Sequence, residues 1–167
     1  MYSKSTTGYL NRKSGKNFEE YIEFSLLWYE KNGLAVIEKT PEPMRPLSRL
    51  ENGRFVACYE QKAQPDYKGT IKGGQSIVFE AKYTSDMRIA QHCVTDKQAE
   101  RLDQHERMGA TCFVLAGFGD NSVYRIPWSE WKRMKEIYGK KSLQPTDIKA
   151  FRVPSDGVLK LLEGITD

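Results

Sequence analysis

The segment from Ser76 to Tyr83 constrains the fold of this chain more than any other part of the sequence. Its residues alternate with the period of two that is typical of a β-strand, which puts Glu80 and Lys82 on the same face as Val78. A charged pair inside an otherwise apolar strand is costly to bury unless it has polar or ionic partners. The pattern therefore predicts a β-sheet with a polar site on one face of this strand.

Asp66 is the partner that the sequence offers to this strand. It follows Pro65, and Lys72-Gly73-Gly74 lies between it and the strand. Glycines of this kind favour a turn, which lets the chain fold back so that the Asp66 carboxylate reaches Glu80. Two adjacent carboxylates raise the pKa of at least one of them, and a divalent cation relieves their repulsion.

A magnesium ion is the cofactor that this pair of carboxylates predicts. Mg²⁺ prefers hard oxygen ligands and binds through one or two carboxylates, waters and phosphate oxygens. It lowers the pKa of a bound water and stabilises charge on a phosphate, while the Lys82 ammonium is placed to orient that water or balance that charge. Phosphodiester hydrolysis is the favoured reaction. Mn²⁺ is expected to replace Mg²⁺, and no small-molecule cofactor is expected.

The first part of the chain predicts an amphipathic helix that ends before Gly33. Its buried face is formed by Phe18, Tyr21, Ile22, Ser25, Leu26 and Tyr29. Asn17 and Glu20 fit a capping box at its start. Residues 1–11 are polar and are expected to be mobile, as chain termini often are.

Hydrophobic patterning and turn residues predict the remaining elements. Further strands are expected at Leu34 to Lys39, Phe55 to Glu60, Thr111 to Ala116 and Ser122 to Ile126, and helices at Thr95 to Met108, Trp128 to Tyr138 and, shorter, Val158 to Leu162. Gln61 to Gly69 is predicted to be a loop. This order predicts an α/β fold, a mixed β-sheet flanked by helices, in one domain that spans residues 1–167.

The composition of the segment from Thr40 to Gly53 predicts a projection or a sheet edge rather than a central strand or a helix. It contains Pro41, Pro43 and Pro46, and proline fixes an extended backbone and removes a hydrogen-bond donor. Arginine side chains, whose planar guanidinium groups suit phosphate, occur along it at Arg45 and Arg49, and Arg54 follows it directly. The segment is therefore predicted to contact a polyanion.

Composition excludes several classes of protein. The apolar runs are too short to cross a bilayer and the first residues lack the apolar core of a signal peptide, so a cytoplasmic protein without a membrane partner is expected. The three cysteines and two histidines lack the spacing of a disulfide framework or a zinc site. A net charge of +4 permits a nucleic-acid partner.

Asp66, Glu80 and Lys82 resemble the signature of the PD-(D/E)xK nucleases, which share the restriction-endonuclease-like fold. Gly15-Lys-Asn-Phe18-Glu19 is similar to the element on the first helix of that fold. Within the superfamily the chain most resembles the RecU-type Holliday-junction resolvases, over roughly residues 11–131. The matching stretches are Asn11-Arg12, Lys39-Thr-Pro41-Glu-Pro43, Asp66-Tyr67-x-Gly69, Phe79-Glu80-Ala81-Lys82, and Gln98 followed by Cys112-Phe113-Val114. Its compactness is compatible with a phage-encoded member.

The resemblance implies a homodimeric, Mg²⁺-dependent endonuclease that makes paired nicks in four-way DNA junctions. It implies that Asp66, Glu80 and Glu19 bind the metal, that Lys82 is the catalytic lysine and that Gln98 assists at the phosphate, with Glu20 as the alternative to Glu19. The proline-rich projection, residues 40–54, corresponds to a stalk that enters the junction. Basic residues expected to contact DNA are Arg12, Lys16, Arg45, Arg49, Arg54, Lys68 and Lys72.

Two other functions are compatible with these residues. One is a different PD-(D/E)xK endonuclease, of the repair, flap or restriction type, which acts on duplex ends or flaps. The other is a DNA-binding module that keeps the fold without catalysis. The complete set of Asp66, Glu80 and Lys82 disfavours the second, because acidic groups that face phosphates repel DNA unless a metal intervenes.

Overall fold

A five-stranded mixed β-sheet forms the centre of the computed structural model, in the order β1-β4-β5-β7-β8. These strands are β1 (Ala35–Lys39), β4 (Tyr67–Ile71), β5 (Ser76–Thr84), β7 (Thr111–Phe118) and β8 (Val123–Pro127), and the others are β2 (Met44–Arg49), β3 (Phe55–Tyr59), β6 (Ile89–Ala90) and β9 (Ser142–Leu143). The helices are α1 (Lys4–Lys31), α2 (Asp96–Arg107), α3 (Trp128–Lys132) and α4 (Met134–Tyr138). The structure describes residues 4–41, 43–59 and 64–165, and for 4–14 and 59 it describes the backbone alone.

The sheet is antiparallel except between β5 and β7, which run parallel. A parallel pair needs a crossover connection, and α2 lies within the one that joins β5 to β7. The observed architecture therefore confirms the predicted mixed sheet flanked by helices. It also places the start of α2 beside the middle of β5, where Glu80 and Lys82 lie.

Helix α1 covers one face of the sheet. Its predicted stripe is buried at Phe18, Ile22, Ser25, Leu26 and Tyr29 and packs with Ile77 and Phe79 of β5. The opposite face packs against α2, α3 and α4 in a second cluster that includes Val78, Leu102, Val114, Trp131 and Met134. Because side chains alternate along β5, Glu80 and Lys82 share this second face, as the sequence predicted.

Close approach of β1 and β4 depends on a glycine. A Cβ atom on Gly69 would lie 2.1 Å from the carbonyl oxygen of Val36, a distance that no side chain tolerates. Gly73 and Gly74 both have positive φ, +100° and +95°, in the turn that leads from β4 to β5. These glycines let β1, β4 and β5 pack in register, and that register brings Asp66 beside β5.

The proline-rich segment forms a β-hairpin outside the central sheet. Among the described strands, β2 and β3 pair only with each other, with an irregularity between Pro46 and Ser48. Every side chain of β2 is exposed, and the connecting 3-10 turn, Glu51–Gly53, contains no buried residue. The hairpin, in which β3 forms the second arm, therefore extends from the body of the described structure.

Several predicted boundaries were wrong. Helix α1 begins at Lys4, so part of residues 1–11 is helical and Asn17 lies inside the helix instead of capping it. Strand β4 begins at Tyr67, within the predicted 61–69 loop, because Tyr67 and Ile71 bury their side chains against α1. Residues 60–63, which include parts of the predicted strand and loop, lie outside the described residues.

The C-terminal part differs more. The predicted helix from Trp128 to Tyr138 is two short helices, α3 and α4, that meet at Arg133. The predicted helix at Val158 to Leu162 is absent: this stretch contains a strand bridge at Leu159 and turns, and Leu159, Leu161 and Leu162 are all buried. In the described part of the chain, no helix combines the length and apolar character needed to span a membrane.

Candidate active site

Glu80 lies at the centre of a cluster of polar side chains on β5. It is completely buried, and the Lys82 ammonium donates to its Oε2 atom at 3.0 Å. Alternation along the strand produces this contact, because residues two apart lie side by side on the same face. The other oxygen, Oε1, is buried without a hydrogen-bond partner. One half of the carboxylate is thus held by the protein while the other half has no protein donor.

Asp66 joins the cluster from the residue that precedes β4. Its Oδ2 atom accepts a hydrogen bond from the backbone N–H of Ala81 at 3.0 Å and lies 3.8 Å from the Lys82 ammonium. Tyr67 pairs with Phe79 across β4 and β5, so Asp66 lies next to Glu80 by register. The predicted approach of Asp66 to Glu80, through the Gly73-Gly74 turn, is present in the structure.

The pKa values of this cluster reflect burial and mutual charge. Burial raises the pKa of Glu80 to about 8, and the negative charge of Asp66 adds to that effect while Lys82 partly opposes it. Burial alone lowers the pKa of Lys82, but the charges of Glu80 and Asp66 outweigh it and raise that pKa above its ordinary value. Lys82 is therefore an ammonium at neutral pH and acts as a hydrogen-bond donor and positive charge, not as a base.

Gln98 connects helix α2 to Glu80. Its Nε2 donates to Glu80 Oε2 at 2.6 Å, while its Oε1 accepts from the backbone N–H of Thr95 at 3.1 Å. The second contact is half of a capping box, completed by the Gln98 backbone N–H and the Thr95 hydroxyl. The predicted cap of α2 thereby fixes the amide that orients Glu80.

Glu19 lies apart from Asp66 and Glu80. Its carboxylate accepts a hydrogen bond from the Lys39 ammonium at 2.7 Å, and the same ammonium lies 3.4 Å from Glu23. Lys39 is the β1 residue that pairs with Tyr67, which adjoins Asp66. Glu20, the alternative helix carboxylate, instead lies 4.0 Å from Lys16, away from the strands. Of the two, Glu19 is the one that faces β1.

The carboxylates fit a magnesium ion better than a softer metal. Among the described residues, no group of three or more histidine, cysteine or acidic side chains is arranged to hold a metal. Mg²⁺ does not require three protein ligands, because it commonly binds one or two carboxylates and completes its coordination shell with waters and phosphate oxygens. Asp66 and Glu80 supply that number of carboxylates, and the unpartnered Oε1 of Glu80 is a hard oxygen without a protein donor.

The predicted DNA-contacting residues lie in three places. Arg45, Arg49 and Arg54 are exposed on the β2–β3 hairpin. Lys68 on β4 donates to Gln64 Oε1 at 2.9 Å, and Lys72 is exposed in the turn before β5. Lys16 is exposed on α1, and the side chain of Arg12 lies outside the described residues.

Two residues near the site had no predicted role. Lys39 was part of the matching Lys39-Thr-Pro41 stretch, but its ion pairs with Glu19 and Glu23 depend on where α1 crosses β1. Cys93 lies near Lys82, and burial raises the pKa of its thiol to about 11, so it is a neutral group beside the cluster. Strand alternation could have predicted that Lys39 faces α1, since Lys39 shares a face of β1 with the buried Ala35 and Ile37.

The chain is similar to proteins of known name along most of its length. Residues 13–164 match the family described as RecU: Recombination protein U. The chain belongs to the RecU family. This membership confirms the resemblance to the RecU family that the matching stretches indicated, and the sheet with its flanking helices is the predicted mixed α/β architecture.

RecU proteins from several bacteria are similar over most of this chain. The Holliday junction resolvase RecU of Bacillus pumilus is 32% identical over 153 residues, which cover 85% of this chain and 72% of that protein. RecU of Streptococcus gordonii is 31% identical over 74% of this chain and 64% of its own length. RecU of Streptococcus suis is 28% identical over 96% of this chain and 84% of its own length.

A solved structure is similar at a greater distance. Hjc of Archaeoglobus fulgidus, described as a Holliday junction resolvase, has 12% sequence identity and a TM-score of 0.45, and the match covers 66% of this chain and 77% of Hjc.

Proposed function

We propose that this protein is a Mg²⁺-dependent, structure-selective endonuclease that resolves four-way DNA junctions by paired nicking. The observation that supports this most is the buried Glu80, which Gln98 and Lys82 orient through one oxygen while the other has no partner. A module that only bound DNA would gain nothing from such a group, because burying an ionisable carboxyl group beside Asp66 costs free energy and adds no contact to DNA.

The carboxylates of Asp66 and Glu80 are the groups that would hold the metal in this proposal. The metal supplies a water of lowered pKa and positive charge at the phosphate. The protein fixes the geometry: Ala81 N–H holds Asp66, and Gln98 holds Glu80. Glu19 would join them only after leaving Lys39, to which it is hydrogen-bonded at 2.7 Å.

Lys82 has the role of a fixed positive charge. Its ammonium lies 3.0 Å from Glu80 and 3.8 Å from Asp66. A phosphate bound to a metal on these two carboxylates would therefore lie close to the ammonium. An ammonium preorganised in a water-poor site stabilises charge that develops on phosphate oxygens, and it can also donate a hydrogen bond to the attacking water. This role requires that Lys82 stay protonated, which its raised pKa ensures.

The choice of a four-way junction as substrate is supported by the named relatives and by the hairpin. RecU proteins of Bacillus pumilus and two streptococci are described as Holliday junction resolvases. The exposed β2–β3 hairpin of this chain presents Arg45, Arg49 and Arg54 on a narrow projection, a shape suited to the centre of branched DNA. Lys16, Lys68 and Lys72 would contact the flanking phosphates.

A substrate panel tests the proposal directly. Labelled four-way junction, flap, duplex and single-stranded DNA of matched sequence are incubated with the protein in Mg²⁺, in Mn²⁺ and in EDTA. The expected result is symmetric nicks in the junction, with either metal and without cleavage in EDTA. Preferential cutting of flaps or duplex ends would favour the alternative repair or restriction activity, and cleavage that persists in EDTA would contradict the metal mechanism.

A further inference from the structure

Buried polar atoms without partners are concentrated around Asp66. In the described part of the chain, four buried side-chain oxygen or nitrogen atoms have no hydrogen-bond partner: Thr40 Oγ1, Tyr67 OH, Glu80 Oε1 and Trp131 Nε1. Two of them, Thr40 Oγ1 and Glu80 Oε1, belong to residues directly opposite Asp66 on the neighbouring strands, and Tyr67 is adjacent to Asp66 in the chain but faces α1. Leaving a buried donor unsatisfied costs free energy, so each such group requires an explanation.

Thr40 is placed directly opposite Asp66. It follows the last residue of β1, and its backbone N–H donates to the Asp66 carbonyl oxygen at 2.8 Å, which extends the β1–β4 ladder by one pair. Pro41 comes next and favours an extended backbone at Thr40. Directly opposed residues of an antiparallel pair have Cβ atoms roughly 5 Å apart, so the Thr40 hydroxyl lies within reach of the space around the Asp66 carboxylate.

Strand alternation puts the Thr40 side chain on the same face as Glu80. Lys39 contacts Glu19 and Glu23 on α1, so its neighbour Thr40 faces the other side of the sheet. Asp66 also faces that side, because Tyr67 is buried against α1 and Asp66 lies beside Lys82. The Asp66 carboxylate accepts from Ala81 and not from Thr40, so the hydroxyl has no protein acceptor.

We infer that Thr40 is a positioning residue of the active site, whose hydroxyl is kept for a hydrogen bond to a water of the hydrated cation held by Asp66 and Glu80. The inference rests on the proposed metal-dependent function. Mg²⁺ retains several waters when it binds to one or two carboxylates, and those waters need partners outside the metal's first shell. A metal-bound water donates through its O–H groups, so the Thr40 hydroxyl oxygen would accept from it. Mutation of such outer-shell partners typically costs about 10- to 100-fold in metal affinity or activity.

The chain offers a matched set of variants. Thr40→Val keeps the shape and the β-branched character of the side chain but removes the hydroxyl, whereas Thr40→Ser keeps the hydroxyl and removes the methyl group. Thr70→Val makes the same chemical change at an exposed threonine of β4, away from Asp66. Asp66→Asn removes one of the carboxylates that are proposed to hold the metal.

Binding of Mn²⁺ to the whole metal-free protein, measured by calorimetry, is the primary readout. Thr40→Val is expected to bind Mn²⁺ about tenfold more weakly, whereas Thr40→Ser and Thr70→Val bind as the wild type does. Without metal, the unfolding midpoint of Thr40→Val is expected to equal or exceed that of the wild type, because this variant lacks the unsatisfied buried hydroxyl. On junction DNA, kcat at a fixed Mg²⁺ concentration falls while KM is unchanged.

The controls separate failure of this inference from failure of the proposed function. Wild-type Mn²⁺ affinity in Thr40→Val, together with lost binding in Asp66→Asn, would overturn the role of Thr40 and leave the metal site intact. Equal weakening in Thr40→Val and Thr40→Ser would also overturn it, since packing would then be the cause. If the wild-type protein itself does not bind Mn²⁺, the metal-dependent function fails and this inference fails with it.

Discussion

Glu80 is the residue whose environment departs most from that of an ordinary glutamate. It is completely buried, receives donors from Gln98 and Lys82 on one oxygen, and has a pKa raised to about 8. Strand alternation predicted that Glu80 and Lys82 share a face, because period two depends only on local backbone geometry. The pairing of Glu19 with Lys39 was not predictable in that way, since it depends on how a helix crosses a distant strand.

The raised pKa of Glu80 predicts a pH-dependent stability of the metal-free protein. The folded protein binds a proton that the unfolded chain releases between pH 4.5 and about 8. Binding of this proton stabilises the folded protein fully below pH 4.5, and the stabilisation is lost as pH rises through about 8. The free energy of unfolding in denaturant, measured in EDTA, is therefore expected to fall across this range. Glu80→Gln should reduce that slope, and an identical slope in wild type and variant would contradict the assignment.

At the scale of a structural element, helix α2 contributes both to the stability of the fold and to the candidate active site. The capping box was predictable from sequence because Thr95 and Gln98 have the required spacing. The family resemblance implied only that Gln98 assists at the phosphate. Its contact with Glu80 was not predicted, since the parallel β5–α2–β7 crossover that produces the contact involves residues far apart in the chain. The two roles of Gln98 can be separated by mutation.

Thr95→Ala and Gln98→Ala should affect stability alike and function differently. Each removes part of the capping box and should lower the free energy of unfolding by about 1 kcal/mol. Only Gln98→Ala also removes the 2.6 Å hydrogen bond to Glu80, so it alone should weaken Mn²⁺ binding and junction cleavage. Chemical denaturation and single-turnover cleavage check the two effects. Equal cleavage by both variants would show that Gln98 only caps the helix.

The β2–β3 hairpin is the element whose role is tested by charge removal. Proline and arginine content predicted a projection at residues 40–54, and the β2–β3 hairpin of this region is exposed. That it acts as a stalk stays a prediction. Changing Arg45, Arg49 and Arg54 to alanine should weaken binding to a four-way junction more than binding to duplex, and should flatten the salt dependence because fewer counterions are released. Stability should barely change, since these side chains are exposed.

A matched triple variant provides the control for the hairpin. Lys135, Lys141 and Lys149 are exposed on other parts of the described structure, and changing them to alanine removes the same net charge. In filter-binding titrations at several salt concentrations, this control variant should weaken junction binding and duplex binding by similar factors. Both factors should be smaller than the loss of junction affinity in the hairpin variant. If the hairpin variant loses affinity equally for both DNA forms, the hairpin is a general electrostatic contact and not a junction-selective one.

At the scale of the whole molecule, the substrate symmetry predicts a homodimer. A four-way junction has two equivalent strands to cut, and a single active site makes one nick per encounter. A two-fold dimer presents two sites related by the symmetry of the substrate. Sedimentation should therefore give a species of about twice the 19.2 kDa chain mass at cleavage concentrations. Paired nicking by a protein that sediments only as a monomer would contradict this expectation.

The fold of the whole chain was predictable to the extent that its elements carry local signals. The strands β1, β5, β7 and β8 and helix α2 follow clear hydrophobic periods or caps, and they were found where expected. The predictions were wrong where tertiary packing determines the local structure. Strand β4 forms because Tyr67 and Ile71 bury their side chains against α1, and the segment from Leu159 to Leu162 is buried without forming a helix. Local propensity carries no information about such contacts.

The most direct test of the central claim is single-turnover cleavage of a four-way junction by Glu80→Gln beside the wild type in saturating Mg²⁺. The amide keeps the side-chain volume but removes the carboxylate that is proposed to hold the metal, so the rate should fall by a factor on the order of 100 or more. Junction binding in EDTA should be retained, because the metal-free Glu80 is largely protonated at neutral pH and glutamine matches it in charge and volume. Cleavage by Glu80→Gln at the wild-type rate would contradict the proposed catalytic centre.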